Sequence, residues 1–356
     1  MLAHNRLILL ILAAFLFVGG CGEEDAAPTE PAPTVTGGGP VGVALGNQAP
    51  LHPSLQWARA GKPTDSVTYN VYFGTATDPK VVAAQLADTT FEPGPLQPGA
   101  RYYWAVAAVV NGAIPAKSPV YSFTTRTGIT YPVATGDRWE YRHESTILGN
   151  GIDIEEVRYY RVAVLGSDGS WSFQPVYVIE EAWFNVDLAT VGFDTCYYFA
   201  ADSGLFLAAY TDVSGVQPSG LEEGSRRGSL MERMTAASSP DGLIIENPPK
   251  PSFKYPIEVN KEWTFRSGTP RIVKKVIGYE IIDVPAGEFG CFVVESKYDS
   301  DGNGSFDDNV LHKDYVSEFG LVKRTSIVYD ADIVVGGHVI GQADITENYE
   351  LVAAER

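Results

Sequence analysis

Tyr131-Pro132-Val133-Ala134-Thr135-Gly136-Asp137-Arg138-Trp139-Glu140-Tyr141-Arg142 returns later in the chain as Tyr255-Pro256-Ile257-Glu258-Val259-Asn260-Lys261-Glu262-Trp263-Thr264-Phe265-Arg266. Tyr, Pro, Trp, the aromatic two places after Trp and a closing Arg keep their spacing. A second echo pairs Tyr198-Phe199-Ala200-Ala201-Asp202-Ser203-Gly204-Leu205 with Tyr315-Val316-Ser317-Glu318-Phe319-Gly320-Leu321. Two copies are too few for a solenoid, which needs at least three stacked units. They are read instead as two related halves, about 129–210 and 255–352, of one β-domain spanning 129–356. Strand patterns fill both: Arg158 to Leu165, Ser172 to Glu180, Tyr197 to Ala200, Arg271 to Ile282, Phe289 to Tyr298, Leu321 to Tyr329 and Ala343 to Val352. Helical periodicity is nearly absent. Gly220 to Ala237 is the exception, a short helix or a loop, and the Pro-rich Asn247-Pro248-Pro249-Lys250-Pro251 closes an irregular connection between the halves.

Upstream, residues 41–127 carry short strands separated by turn residues. These are Ser54 to Trp57, Thr68 to Phe73, Thr89 to Glu92, Tyr102 to Val110 and Pro119 to Thr125. Asn111-Gly112 follows the longest of them and is the strongest short hairpin signal. Such spacing suggests a β-sandwich. Leu96-Gln97-Pro98-Gly99-Ala100-Arg101-Tyr102-Tyr103-Trp104-Ala105-Val106 resembles the corner motif of fibronectin type III domains, with Trp57 at the place of that family's B-strand tryptophan. Ser118-Pro119-Val120-Tyr121-Ser122-Phe123-Thr124-Thr125 resembles its closing strand. The resemblance implies that Tyr102 buries its ring and bonds its hydroxyl back to the chain. It implies a spacer or platform rather than an activity.

The second half resembles bacterial envelope domains that carry no agreed activity. Trp263-Thr264-Phe265, Val284-Pro285-Ala286-Gly287-Glu288-Phe289 and Gly320-Leu321-Val322-Lys323 carry the likeness. It implies a curved antiparallel sheet or partial barrel, distantly like the half-barrels of lipoprotein carriers. The fold expectation is therefore all-β: a fibronectin type III-like sandwich followed by a larger antiparallel sheet built from two halves.

At the start of the chain, Arg6 precedes a 12-residue apolar run from Leu7 to Val18, then Gly19-Gly20-Cys21. The run is short of the roughly 20 residues that span a bilayer, and its order is that of a secretory signal. Small residues ending in Cys resemble the lipobox of bacterial lipoproteins. That likeness implies removal of residues 1–20, acylation of Cys21 and a membrane partner reached through the lipid. Gly22 rather than Asp after Cys21 favours the outer membrane by the same likeness. Residues 21–40, acidic and then rich in Pro, Thr and Gly, read as a disordered tether reaching at most about 60 Å.

Loss of Arg6 with the signal takes the formal charge from −18 to about −19. That charge argues against nucleic acid, which needs a positive field. With Cys21 committed to lipid, Cys196 and Cys291 remain, in an oxidising compartment. Either they form a disulfide, whose loop of about 95 residues would be worth about 4 kcal/mol, or they are separate buried thiols beside aromatics.

The sharpest candidate for chemistry is Asp299-Ser300-Asp301-Gly302-Asn303-Gly304-Ser305-Phe306-Asp307-Asp308. Oxygen-bearing residues at alternate places with Gly at the sixth match the start of a calcium loop. Asp299, Asp301 and Asn303 would give side-chain oxygens, Ser305 its carbonyl, and Asp307 an oxygen directly or through water. Position twelve is Val310 rather than Glu, and an acidic hairpin tip is the plainer alternative. His52, His143, His312 and His338 lack zinc spacing, and no P-loop, dinucleotide or nucleophile-elbow motif occurs. Glu155-Glu156 and Glu180-Glu181 put one carboxylate on each strand face, which suits a solvated strand better than an acid/base pair. Trp139, Trp171, Trp183 and Trp263 either fill the core or line a groove. The expectation is an envelope protein acting as a non-catalytic binding or assembly module for a protein, glycan or lipid ligand. The alternatives are a carrier of a hydrophobic ligand in a half-barrel and a glycan-active enzyme.

Overall fold

A computed structural model describes residues 37–40, 48–113, 117–169, 176–211, 243–335 and 338–356. The signal, most of the tether, Trp171 and the Gly220–Ala237 stretch lie outside these residues. The described chain is all-β, with 19 strands and no helix among the described residues.

Seven strands make two small sheets. β1 (Gly37–Pro40), β2 (Leu55–Trp57) and β5 (Thr90–Phe91) form one, in the order β1-β2-β5. β3 (Val67–Gly74), β4 (Lys80–Leu86), β6 (Arg101–Val110) and β7 (Tyr121–Thr124) form the other, in the order β4-β3-β6-β7. Their shared core holds Trp57, Tyr69, Val71, Tyr102, Trp104 and Phe123. Tyr102 stacks on Phe73 at 5.2 Å, and its hydroxyl accepts the Gln97 N–H at 3.1 Å. Asn111 and Gly112 take φ of 49° and 80°, the left-handed values that a tight hairpin turn requires after β6. β4 was not foreseen. Its Lys-Val-Val-Ala-Ala-Gln-Leu has no alternation because an edge strand with five of seven residues exposed has no core face to encode.

The remaining strands build one twelve-stranded sheet from two six-stranded meanders. The first comprises β8 (Arg138–Gly149), β9 (Ile152–Asp168), β10 (Val176–Phe184), β11 (Thr190–Ala201), β12 (Gly204–Thr211) and β13 (Leu243–Lys254). The second comprises β14 (Glu262–Arg266), β15 (Arg271–Val284), β16 (Gly287–Asp299), β17 (Val310–Ser317), β18 (Gly320–Val335) and β19 (His338–Glu355). The sheet order is β13-β12-β11-β10-β9-β8-β19-β18-β17-β16-β15-β14, every pair antiparallel. The echoed motifs thus open β8 and β14, the first strand of each half. Their leading segments meet, since Ile129 and Ile257 exchange both backbone bonds at 3.0 and 2.7 Å. Bulges interrupt most of the ladders and bend the sheet toward closure.

The halves join at two seams. At one, β8 and β19 share a backbone ladder from Arg138↔Glu355 to Leu148↔Asp344, interrupted by one bulge between Leu351 and Ala353. At the other, β13 and β14 approach without a ladder. Trp263 Nε1 donates to the Pro251 carbonyl at 2.8 Å, and Arg266 pairs with Glu246 at 3.6 Å. Pro248, Pro249 and Pro251 lack the N–H groups that a ladder needs, so β13 is an edge by chemistry. This corrects the expectation of an irregular connection: its Pro-rich end is a strand.

Trp139 Nε1 donates to the Phe319 carbonyl at 2.6 Å, in the turn before β18. Gly320 takes φ of 118°, and a Cβ there would lie 2.7 Å from that indole nitrogen. The Gly-Leu-Val-Lys element exists because the tryptophan of the first half needs this room.

The small sheets dock on the large one. Glu318 accepts the N–H groups of Leu51 and His52, both at 3.2 Å. His52 Nε2 accepts the Gly290 N–H at 3.3 Å, and the Tyr279 hydroxyl donates to the Leu96 carbonyl at 2.8 Å. Leu51, fully buried, packs in one cluster with Ile129, Ile257 and Phe292.

Candidate functional site

Alternation along the central strands of the large sheet turns polar residues inward among valines. On β17 these are His312 and Asp314, followed by Val316; on β18 they are Arg324 and Ser326, flanked by Val322 and Val328. The register then aligns them across strands. Asp314 faces Arg324, Arg324 faces Tyr349, and Tyr349 faces His143. A parallel row runs Ser296, His312, Ser326 and Glu347, all nearly fully buried.

Asp314 is the centre of this polar band. It is fully buried, and Arg324 Nε donates to its Oδ1 at 2.6 Å. His312 Nε2 lies 3.5 Å from the same oxygen, and His312 Nδ1 is 2.8 Å from the Ser326 hydroxyl. Asp314 Oδ2 has no hydrogen-bond partner among the described residues. Burial by itself would raise the carboxyl, but the charges of Arg324, His312 and Lys274 outweigh it and hold Asp314 well below the usual range. The group is ionised at any pH near neutrality.

Beside it lies a cavity of about 120 Å³. Its walls include Tyr131, Tyr141, Tyr160, Trp183, Tyr198 and Tyr349. Its ionisable side chains, phenols aside, are Glu181, Asp314, Lys274 and Arg324. Tyr160 packs on Trp183 at 4.3 Å, and its hydroxyl is hydrogen-bonded to Glu181. Burial first, then the Glu181 charge, pushes the Tyr160 phenol well above its ordinary value. Burial likewise pushes Tyr131 up to about 12. Tyr131 and Tyr160 are therefore neutral near physiological pH and not bases. Of the lining, Tyr198, Leu207, Phe265 and Lys274 are half-buried, as are Tyr131, Val162, Glu181, Leu321 and Arg324.

Glu181 stands in this wall, whereas the sequence placed Glu180-Glu181 on a solvated strand. Asp314, Arg324 and Lys274 were missed altogether. The usable signal was His312-x-Asp314-x-Val316 beside Arg324-x-Ser326-x-Val328, polar residues in phase with buried valines. Trp139, Trp183 and Trp263 are buried, and Trp183 serves both core and cavity. His143 stacks on Tyr349 at 4.3 Å, and His338 is exposed.

The expected calcium residues sit together in the β16–β17 turn. Asp299 Oδ2 accepts the Gly304 N–H at 3.1 Å, Asp301 Oδ1 accepts the Asn303 N–H at 3.0 Å, and Asn303 Oδ1 accepts the Ser305 N–H at 2.7 Å. Asp307 Oδ2 accepts the Ser300 hydroxyl at 2.6 Å. The oxygens thus hold the turn's own donors, and no group of three His, Cys, Asp or Glu side chains suited to a metal occurs among the described residues. Asp299 Oδ1 is buried without a hydrogen-bond partner there. Cys21 lies outside the described residues. Cys196 and Cys291 are both thiols, with no disulfide between them, although both pack in the apolar cluster around Trp139. Burial pushes the Cys291 thiol far above its ordinary range.

No protein-family model matches the chain, and no curated protein matches it. Among solved structures it is similar to a protein of Bacteroides fragilis described as exported and of YmcC-like fold. That likeness has 10% identity and a TM-score of 0.27, over 64% of this chain and 100% of that one. It is also similar to a protein of Parabacteroides distasonis described as a lipoprotein, with 10% identity and a TM-score of 0.28, over 65% of this chain and 100% of that one. Both scores are below 0.5, and the fold rests on the strand pairing above.

Proposed function

We propose that the chain is a cell-envelope protein anchored in the outer membrane through lipid on Cys21, with a fibronectin type III-like spacer and a large sheet that acts as a non-catalytic binding or assembly module. Val18-Gly19-Gly20-Cys21 supports the anchor. The three-plus-four sheet arrangement and the Tyr102 corner bond support the spacer. The cavity beside Asp314 is the observation that carries the binding role. At about 120 Å³ it is below the roughly 300–1,000 Å³ of drug-sized ligand sites, which weighs against an acyl-chain carrier. Proton transfer favours a group whose pKa is near the working pH. Asp314 is held far below that, which weighs against a glycan-cleaving acid. Metabolic labelling with palmitate tests the anchor: the protein takes up label, and Cys21→Ser abolishes label and moves the chain to the soluble fraction. A variant that stays in the membrane overturns the anchored reading.

Calcium at the β16–β17 turn is a second element of the proposal. The buried, unpartnered Asp299 Oδ1 favours it, with Asp301, Asn303, the Ser305 carbonyl and Asp307 as further oxygens. Millimolar calcium is expected to raise Tm and a chelator to reverse the rise. An identical Tm in both conditions removes the site.

A further inference from the structure

β18 and β19 outrun their neighbours. The last ladder pair of β17 on β18 is Val310↔Val328, and that of β8 on β19 is Leu148↔Asp344. Beyond those points the two strands pair with each other alone, through Ala331↔Ala343 and Ile333↔Gly341 to Val335↔His338. The result is a two-stranded ribbon at the opposite end of β18 from Glu318, which grips the small module. β18 has 16 residues, so at the usual rise per residue the ribbon lies up to about 50 Å from that junction.

Ile333 to Gly341 contains no Asp, Glu, Lys or Arg. Val339 and Ile340 are 58% and 51% exposed, and as consecutive strand residues they point to opposite faces. The ribbon therefore shows apolar side chains on both faces, where a solvated sheet face is ordinarily polar. One of its edges is closed. Asn150 Nδ2 donates to the Ile340 carbonyl at 2.9 Å, and a Cβ on Gly341 would lie 1.9 Å from that nitrogen. The other edge is open. The Asn309 carbonyl accepts the Tyr329 N–H at 2.8 Å, and Asn309 Nδ2 donates to the Tyr329 carbonyl at 3.0 Å. Past Tyr329, no strand flanks this side of β18 among the described residues. The β16–β17 turn leans away, with the Phe306 ring centre 4.7 Å from the guanidinium of Arg271 on β15. Asp330 and Asp332 are exposed on the open strand, and no Lys or Arg pairs with either among the described residues.

Lipid does not suit such a ribbon, because hydrocarbon cannot satisfy the N–H and C=O groups of an open edge. A second copy pairing through the same edge would bring two sets of aspartates together with no counter-charge. A basic strand meets both requirements. We propose that the open edge of β18, Ala331 to Val335, takes up an extended strand of another protein, with β-branched residues along the ribbon and Lys or Arg opposite Asp330 and Asp332; the proposal rests on the reading of the large sheet as a binding or assembly module. Backbone bonds supply the affinity of such an added strand. The aspartates discourage pairing with neutral or acidic strands, and so select the partner.

The test titrates the full chain in detergent with a fluorescent peptide of alternating Val and Thr flanked by lysines, read by anisotropy. A glutamate-flanked twin and a twin N-methylated at alternate amides are the comparisons. The lysine peptide is expected to saturate and to bind about tenfold more tightly than either twin at low salt. Asp332→Lys is expected to reverse the preference between lysine and glutamate peptides with little change in Tm. Amides between Ala331 and Val335 should exchange more slowly in the complex, with those of β8 unchanged. No saturation, equal binding of the N-methylated twin, or a preference that Asp332→Lys leaves as it was overturns the proposal. A dimer that Ile340→Ser dissociates assigns the ribbon to a second copy. Binding of Cys21→Ser chains to phosphatidylcholine vesicles, abolished by Ile340→Ser, assigns it to lipid. Either of these overturns the proposal as well. All of them leave the palmitate and fractionation outcome untouched, so failure here is told apart from failure of the proposed function.

Discussion

The two seams of the large sheet join the same two halves by different means. Where β8 meets β19, every residue has an N–H to offer, and the ladder runs the length of β8. Where β13 meets β14, three prolines remove donors, and one indole bond with one ion pair stands in for a ladder. In both cases the tryptophan of the echoed motif reaches across to a carbonyl of the other half, Trp139 to Phe319 and Trp263 to Pro251. The repeated tryptophan is therefore the fastener common to both seams, while backbone pairing belongs to one of them. Closure is then strong at one edge and replaceable at the other.

The largest effect is expected from Trp139→Ala at the ladder seam. Deleting a fully buried tryptophan costs about 3–5 kcal/mol, and calorimetry should show the large sheet melting earlier as one unit. A loss of under about 1 kcal/mol, the size of an average surface change, would mean that the ladder alone holds this seam. Next is Asp314→Asn, two strands from the same seam. Removing one partner of a buried pair costs about 3 kcal/mol or more near neutral pH. The sign follows from a native pKa below the unfolded value of 3.8. The stabilisation is complete above that value and disappears as pH falls through the lower native one. Urea unfolding across the acid range should therefore show wild type and variant converging below about pH 4; a gap that stays constant refutes the assignment. The smallest effect is expected from Trp263→Phe, which keeps an aromatic ring but deletes the donor and part of the indole's volume. It should cost about 1–2 kcal/mol. Hydrogen exchange should speed up at the β13 amides of Ile244 to Glu246, with β8 and β19 unchanged. Faster exchange at both seams would show that they are not independent.

Much of this fold was legible because its signals are local. Asn111-Gly112 marks a hairpin, and Tyr102 in its Pro-Gly corner marks a sandwich. The echoed Tyr-Pro and Trp mark two halves. β13 was hidden because three prolines argue against a strand unless it lies at an edge, and edge position is a property of the whole sheet. The cavity was less legible still. Asp314, Arg324 and Glu181 each look like ordinary solvated strand residues in their own segments. Only the register of β17 on β18 puts Asp314 opposite Arg324, and only the curvature of the whole sheet brings Glu181 of β10 to the same space. The acidic residues of the β16–β17 turn, adjacent in sequence, could be grouped from spacing. Cavity residues drawn from eleven strands could not.

The junction between the small sheets and the large one governs how the molecule moves. Glu318 holds the Leu51 and His52 amides, Tyr279 holds the Leu96 carbonyl, and Leu51 is sunk among residues of the larger sheet. Those contacts are distributed around the junction rather than strung along one linker. The two β-modules should therefore share a single rotational correlation time, tumbling as one particle. Reorientation of the small module in solution then carries the mouth of the cavity with it.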